Sequence, residues 1–313
     1  MSMRLPPAEE LEHLKLATEI SKTPVDEVVV PERHHAVVNG FRIHYLDWGT
    51  AGKPPIVFLH GGALNAHTWD VVCLAMRTQY RCIAVDQRGH GDSEWSPVLD
   101  YTPESHRRDV LGLVDQLGFD RFLLAGQSMG ALNSFTFATE HSDRLRGLVL
   151  IDAGPKIRMN GAERIGEFVN ATAEIDSIED ALAKALEFNP LRDPRLLRRG
   201  LLYNYRQLPS GRWARKHDMR HWLGSEMKDR AKKHQSSWHS LERVTCPTLV
   251  VRGAISDVFH DEDAESFAKA LPNARWTKVE GAAHTVQGDN PRGLVEAMRT
   301  FFADLPGDRK SVV

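Results

Sequence analysis

The 313 residues predict an α/β protein: a mostly parallel, doubly wound sheet with a helical cap inserted after the sixth strand. Three observations lead there. Short apolar runs alternate with stretches of helical period from about residue 56 to residue 302, and such alternation buries a parallel sheet between two layers of helix. An Asn39-Gly40 pair between two alternating segments marks a two-residue hairpin. Between Gly154 and about Leu241 the strand-like runs stop and helix-like stretches replace them.

Taken in order, Glu9 to Ile20 reads as a short amphipathic helix after a Pro-Pro start. His35–Val38 and Phe41–Trp48 flank the hairpin turn and add antiparallel strands at one edge. Ile56-Val57-Phe58-Leu59 is a continuous apolar run of the kind buried on both faces. Arg81–Asp86, Arg121–Gly126 and Leu145–Asp152 read as further strands. Pro103–Leu117, with Val110, Leu113, Val114 and Leu117 at helical spacing, and Met129–Glu140 read as the helices between them. The gap holds helical stretches at Ala162–Ile175, Ser177–Phe188, Asp193–Arg206 and Arg212–Trp222, the second opened by a capping box at Ser177–Asp180. Strands resume at Thr248–Arg252 and Arg275–Val279, each followed by a helix, Glu262–Leu271 and Pro291–Phe302. The expected organisation is an N-terminal helical extension over 1–27, a core over 28–154 and 241–313, and an all-helical cap over 155–240.

Composition narrows the function. With 42% hydrophobic and 26% charged residues the chain is an ordinary globular protein. A net charge of −2 leaves no footprint for nucleic acid or for an anionic membrane, so neither is expected as a partner. Cys73, Cys82 and Cys246 are an odd set without CxxC spacing and read as small buried hydrophobes. The N-terminus lacks the apolar core of a signal peptide, and no apolar run reaches membrane-spanning length. A cytoplasmic, soluble protein is therefore expected, as a monomer or homodimer.

The chemistry centres on Gly126-Gln-Ser128-Met-Gly130. The pentapeptide alone is a weak signal, but here a strand ends at its first glycine and a helix begins at Met129. That setting holds a serine in a strained turn at the carboxyl edge of a sheet. An incidental serine in a glycine-rich turn is the bland alternative. A serine hydroxyl needs a base, and of the fifteen histidines His284 stands in a small-residue loop after the last strand, over the same edge. The imidazole in turn needs a carboxylate. Asp257, on a loop long enough to curl back toward His284, is the expected acid; Asp152, at the end of the preceding strand, is its rival. An oxyanion hole would use the N–H of Met129, at a helix N-terminus, and that of Gly62 in His60-Gly-Gly-Ala63, with Ala63 as the fallback. His60 reads as a structural hydrogen-bonding residue under this loop. Asp86–Ser93, a polar glycine-rich turn, reads as a buttress; it lacks the Gly-Lys-Ser/Thr of a phosphate cradle. No dinucleotide fingerprint and no clustered ligand set is present, so no cofactor and no metal is expected.

In their order, LHGG, DQRGHGDS, GQSMG, the Asp257 loop and GAAHT resemble the α/β-hydrolase fold from about Val28 to Leu305. The resemblance implies a capped serine hydrolase of the esterase, enol-lactonase and meta-cleavage C–C hydrolase group. Ser128 stands where haloalkane dehalogenases and soluble epoxide hydrolases carry Asp. The expected activity is cleavage of a small, largely apolar carboxylic ester through an acyl-Ser128. The alternatives are lactone or C–C bond hydrolysis with the same residues, or a non-catalytic binding protein on the same scaffold, against which the intact Ser/Asp/His set argues. Residues 155–240 carry 17 Lys+Arg and 11 Asp+Glu. A solvated outer face accounts for such a surplus, and an arginine of the 192–206 stretch pointing inward would instead favour anionic substrates. Trp213, Trp222, Trp238 and Tyr203 are candidates for a pocket, though aromatic residues of a cap more often pack it to the body.

Overall fold

The chain opens with helix α1 (Pro7–Ile20), whose proline occupies the first turn, where a missing N–H breaks no helical bond. Strands β1 (Glu32–Val38) and β2 (Phe41–Asp47) pair antiparallel. Asn39 and Gly40 between them both have positive φ, 51° and 81°, as a turn matched to the strand twist requires. Then come β3 (Pro55–Leu59), α2 (Asp70–Met76), β4 (Arg81–Val85), α3 (Pro103–Gln116), β5 (Phe122–Gln127), α4 (Met129–His141) and β6 (Leu145–Ile151). The computed structural model describes residues 5–156, 158–220 and 238–306.

The insertion after β6 contains α5 (Met159–Ala171), β7 (Glu174–Ile175), α6 (Ile178–Phe188), α7 (Pro194–Asn204), β8 (Tyr205–Gln207) and β9 (Trp213–Arg215). It is not all helical, as the sequence led us to expect: β7, β9 and β8 form a small antiparallel sheet. Gly211, at φ 86°, turns the chain after Pro209, and Leu208 N–H reaches the Arg212 carbonyl at 2.8 Å. That closes two three-residue runs into a hairpin too short to leave an alternating pattern. The stretch expected as a helix from Arg212 therefore begins as a strand, and its end at Trp222 lies outside the described residues. Ser177 does cap α6, its hydroxyl accepting from Asp180 N–H at 3.0 Å. Ile175, Ile178, Ala181, Leu197, Leu201 and Tyr205 give the insertion an apolar core of its own.

The main sheet is completed by β10 (Thr248–Gly253) and β11 (Ala274–Val279), in the order β1-β2-β4-β3-β5-β6-β10-β11. Pairing is antiparallel across β1, β2 and β4 and parallel from β4 to β11. Both faces are buried. Val57, Leu59, Ile83 and Leu124 meet α3, α4 and the helix Asp261–Ala270, while Ile56, Phe58, Ala84 and Val149 meet α1, α2 and the helix Pro291–Ala303. This two-sided burial is why these strands read as continuous apolar runs. The three cysteines are buried and free. No helix among the described residues is long and apolar enough to cross a membrane.

Polar pairs fasten the loops and the insertion to the body. Arg88 and Asp109 form a buried two-pronged ion pair (2.5 and 2.6 Å), and Asn39 Nδ2 donates to Asp109 at 3.1 Å. On the insertion, Arg199 of α7 pairs with Asp70 at the start of α2, Tyr203 stacks on His67 at 3.7 Å, and Asn65 bonds Asn204 at 2.6 Å. On its far limb, Lys216 meets Asp92 at 2.6 Å and Asp218 accepts from Tyr101 at 2.6 Å.

Two outcomes follow for stability. Arg88→Met leaves Asp109 buried without its cation, so denaturant melts should show a loss of about 3–5 kcal/mol; replacing Asp109 by Leu as well should restore part of it. Asp70 supplies a pH dependence. Burial alone would push its carboxyl up, but His67 and the Arg199 guanidinium outweigh burial and hold it below the usual carboxylate range. The unfolded chain then binds the proton more readily, so this stabilisation is complete above the unfolded carboxyl value of about 3.9 and drains as pH falls through the folded value. Asp70→Asn should show a flatter fall in stability between about pH 5 and pH 2 than the parent.

Candidate active site

Parallel pairing places the reactive groups. Gln127 of β5 lies opposite Ile151 of β6, so the next residues, Ser128 and Asp152, leave the sheet side by side. Both take positive φ, 53° and 51°, a conformation that costs a non-glycine residue energy and is held by its surroundings. Ser128 N–H donates to the Ile151 carbonyl at 3.0 Å, and Asp152 N–H to that of Val251 at 2.7 Å. The serine turn also needs its glycines. A Cβ on Gly126 would lie 2.1 Å from the Gly130 carbonyl oxygen, and one on Gly130 would lie 2.2 Å from that of Leu59.

His284 stands between the two strand ends. Its Nε2 is 3.0 Å from Ser128 Oγ, and its Nδ1 is 2.8 Å from Asp152 Oδ2. A carboxylate accepts, so Nδ1 carries the proton and Nε2 is left to accept from the serine hydroxyl. Asp152 is 0% exposed and also accepts from Gly253 N–H at 2.8 Å and Ser256 Oγ at 2.5 Å. These three donors fix the carboxylate under the imidazole. A hydroxyl, an imidazole and a buried carboxylate in such a row can draw a proton from the hydroxyl as it attacks a carbonyl.

The expectation for Asp257 is corrected here. Its side chain is 43% exposed and pairs with Arg164 of α5 at 2.8 Å. The loop after β10 does curl back, but it brings Ser256 to the site rather than Asp257. Strand register decides between the two acids. Asp152 sits one residue past a strand paired directly to the serine strand, whereas a Cβ on Gly161 would lie 2.5 Å from the Asp257 carbonyl oxygen, so α5 packs against Asp257 from outside.

The loop after β3 lies against the serine. A Cβ on Gly61 would be 3.3 Å from Ser128 Cβ and 2.2 Å from Gln127 Oε1. The Gly61 carbonyl accepts from His60 Nδ1 at 2.8 Å and from Leu64 N–H at 3.2 Å. In a trans peptide the following N–H points the opposite way, so Gly62 N–H is turned away from those donors. Ala63 takes φ 61°. Met129 is the first residue of α4, where N–H groups lack helical partners. His60 is the hydrogen-bonding residue expected under this loop: Gln87 N–H donates to its Nε2 at 3.1 Å, and burial pushes its pKa down, keeping it neutral. Asp86 buttresses from below, accepting from His44 Nδ1 and Asp92 N–H (both 2.8 Å) and from Ala66 N–H at 2.7 Å.

Gln127 went unnoticed in the sequence. It is buried, and its Nε2 donates to the carbonyl of His284 at 2.9 Å, tying the serine strand to the histidine loop. Its place between Gly126 and Ser128 was the only signal. The aromatic residues pack rather than line a pocket: Trp238 lies on Phe135 and Phe267, Trp213 joins the core of the insertion, and Tyr203 stacks on His67. Trp222 is outside the described residues. The arginines of 192–206 all have partners: Arg192 with Asp289, Arg195 with Asp193, Arg198 with Glu179, Arg199 with Asp70, and Arg206 over the Trp95 ring.

Residues 54–291 match the α/β hydrolase fold family. The chain is 30% identical to esterase Rv0045c of Mycobacterium tuberculosis over 264 residues, 82% of this chain and 85% of that protein. The crystal structure of that esterase superposes with a TM-score of 0.74 at 28% identity, covering 95% of this chain and 99% of the other. It is also 28% identical to 2-(acetamidomethylene)succinate hydrolase of Mesorhizobium japonicum over 255 residues, 80% of this chain and 88% of that protein. Fold, serine turn and family match agree: the chain belongs to the α/β hydrolase family.

Proposed function

We propose that this protein is a serine hydrolase that cleaves small, largely apolar and uncharged carboxylic esters through an acyl-Ser128 intermediate. The reading rests on the row Ser128 Oγ, His284, Asp152, with bonds of 3.0 and 2.8 Å. His284 Nε2 takes the serine proton as Oγ attacks, then returns it to the leaving alcohol and later activates water. Asp152 holds the Nδ1–H tautomer and steadies the imidazolium. Gly62 and Met129 N–H groups receive the oxyanion. The similarity to an esterase over most of both chains supports the reaction class. The pairing of Arg192, Arg195, Arg198 and Arg199 with carboxylates supports an uncharged substrate. We place residues 155–240 over the serine as a cap, which favours compact esters over polymers.

Ser128→Ala should lower kcat on a short chromogenic ester by about 10⁴-fold or more with the fold intact, and His284→Ala should match it, since the residues act as a unit. Asp152→Asn should cost about 10³–10⁴-fold, whereas Asp257→Asn should change kcat by less than about threefold, as for a solvent-side ion pair. A reversal of the two aspartates would displace Asp152 as the acid. For substrate charge, kcat/KM is compared for a neutral ester and its carboxylate-bearing match at low and high salt. We expect the neutral ester to be preferred, with little salt dependence. A strong preference for the anion would instead favour the lactone or C–C hydrolysis reading.

A further inference from the structure

His284 belongs to no strand or helix; it stands in the loop between β11 and the short helix Val286–Asp289. Its backbone is nonetheless gripped on both flanks. Ala283 N–H, on one side, donates to Asp289 Oδ2 at 3.1 Å. The Thr285 carbonyl, on the other, accepts from Arg192 Nη2 at 3.4 Å. The two grips are one assembly, because Arg192 also donates to Asp289 Oδ1, through Nε at 2.9 Å and through Nη2. Asn189 Nδ2 adds a bond to the same oxygen at 3.2 Å. Gly288 leaves room for the guanidinium: a Cβ there would lie 2.7 Å from Arg192 Nη2. Asn189 and Arg192 come from the turn between α6 and α7, in the insertion. Asp289 and the residues it holds come from the body.

We propose that Arg192 and Asp289 are positioning residues for His284, so that the seating of the insertion sets the place of the base. The proposal rests on the reading of His284 as general base. The imidazole must satisfy Ser128 at 3.0 Å and Asp152 at 2.8 Å together, and a displacement of about 1 Å in such a group costs about 10²-fold in rate. The Gln127 bond holds the His284 carbonyl from the serine side. Asp289 holds Ala283 from within the body, and the Thr285 carbonyl also accepts from Gly288 N–H at 2.8 Å and Asp289 N–H at 3.0 Å. Arg192 ties this assembly to the insertion through Thr285 and the Asp289 carboxylate. When the insertion shifts, Asp289 loses Arg192 and Asn189, and its carboxylate, which orients Ala283, is left without its cation, while the serine turn, built on β5 and α4, keeps its shape.

The test uses the full chain with a short p-nitrophenyl ester, alongside the rate at which a fluorophosphonate labels Ser128. Arg192→Met and Asp289→Asn should each lower kcat about 10- to 100-fold, with KM changing by less than about threefold. The double variant should lose no more than the worse single one, because both remove one clamp. Arg192→Lys, which keeps a cation beside Asp289 but not the reach to Thr285, should recover part of the loss. Asn189→Ala, a milder change if the others fold poorly, should cost a few-fold in kcat. Arg198→Met, at a surface pair, should match the parent. Unchanged kcat in folded Arg192→Met and Asp289→Asn would overturn the proposal, as would a rise in KM alone, which would leave the pair a role only in substrate binding. Full turnover by Ser128→Ala would sink the ester reading instead. If the parent cleaves no ester, slower phosphonate labelling in Arg192→Met still supports the clamp, and an unchanged labelling rate overturns it.

Discussion

The pairing of β5 with β6 is the constraint from which the site is built. Gln127 faces Ile151, and the chain turns left-handed at the next residue on each strand. The sheet thereby delivers a hydroxyl and a carboxylate at neighbouring points of one edge. Their separation is set by backbone hydrogen bonds rather than by the reach of flexible loops. β10 contributes by closing over Asp152 with Gly253 N–H and the Ser256 hydroxyl. Only the imidazole comes from a distance, on a loop whose residues 283 and 285 are bonded to Asp289 and Arg192. The glycines of the serine turn follow from the same geometry, since α4 begins so close to β5 and β3 that a Cβ at position 126 would strike the Gly130 carbonyl oxygen and one at 130 that of Leu59.

Much of this was legible in the sequence where short-range chemistry decides. Asn39-Gly40 marked its hairpin, Ile56–Leu59 its buried strand, and Gly126–Gly130 its turn, because each pattern is imposed by its immediate neighbours. His284 could be singled out for the same reason, as a histidine in a small-residue loop just past a strand. The sequence favours Asp257 as the acid, whereas it is Asp152 that meets His284. Asp152 and Asp257 both follow strands at the correct edge, and choosing between them needs the order in which strands pair and the direction of a loop after β10. Neither is written locally. Gln127 was hidden because any residue fits that position of the motif. The strands β7, β8 and β9 leave no signature because two or three residues cannot show a period of two, and Tyr205 and Trp213 fall inside stretches of helical pattern.

Charge offers a related lesson about scale. The insertion carries a surplus of Lys and Arg, and a count alone suggests a field that would draw anions. The structure distributes that charge in pairs. Arg199 goes inward to Asp70, Arg192 to Asp289, and Arg198 outward to Glu179. Two of these acids belong to the body, so the positive insertion and the negative core neutralise one another at their seam. A guanidinium already committed to a buried carboxylate has little left to offer a ligand, which is why a formal count over 155–240 is a poor guide to what the site prefers.

The apolar core of the insertion has a consequence for descent rather than for chemistry. Ile175, Leu197, Leu201 and Tyr205 bury one another, so much of the apolar burial in this segment is its own. Several of its contacts with the body are ion pairs, Arg199–Asp70, Arg192–Asp289 and Lys216–Asp92 among them, which single substitutions can rewrite. Lineages could therefore reshape the stretch from α5 to β9 while inheriting the sheet unaltered. The limit on that freedom falls on a few inherited anchors such as Arg192, without which the body's Asp289 would be left partly buried and lacking a cation.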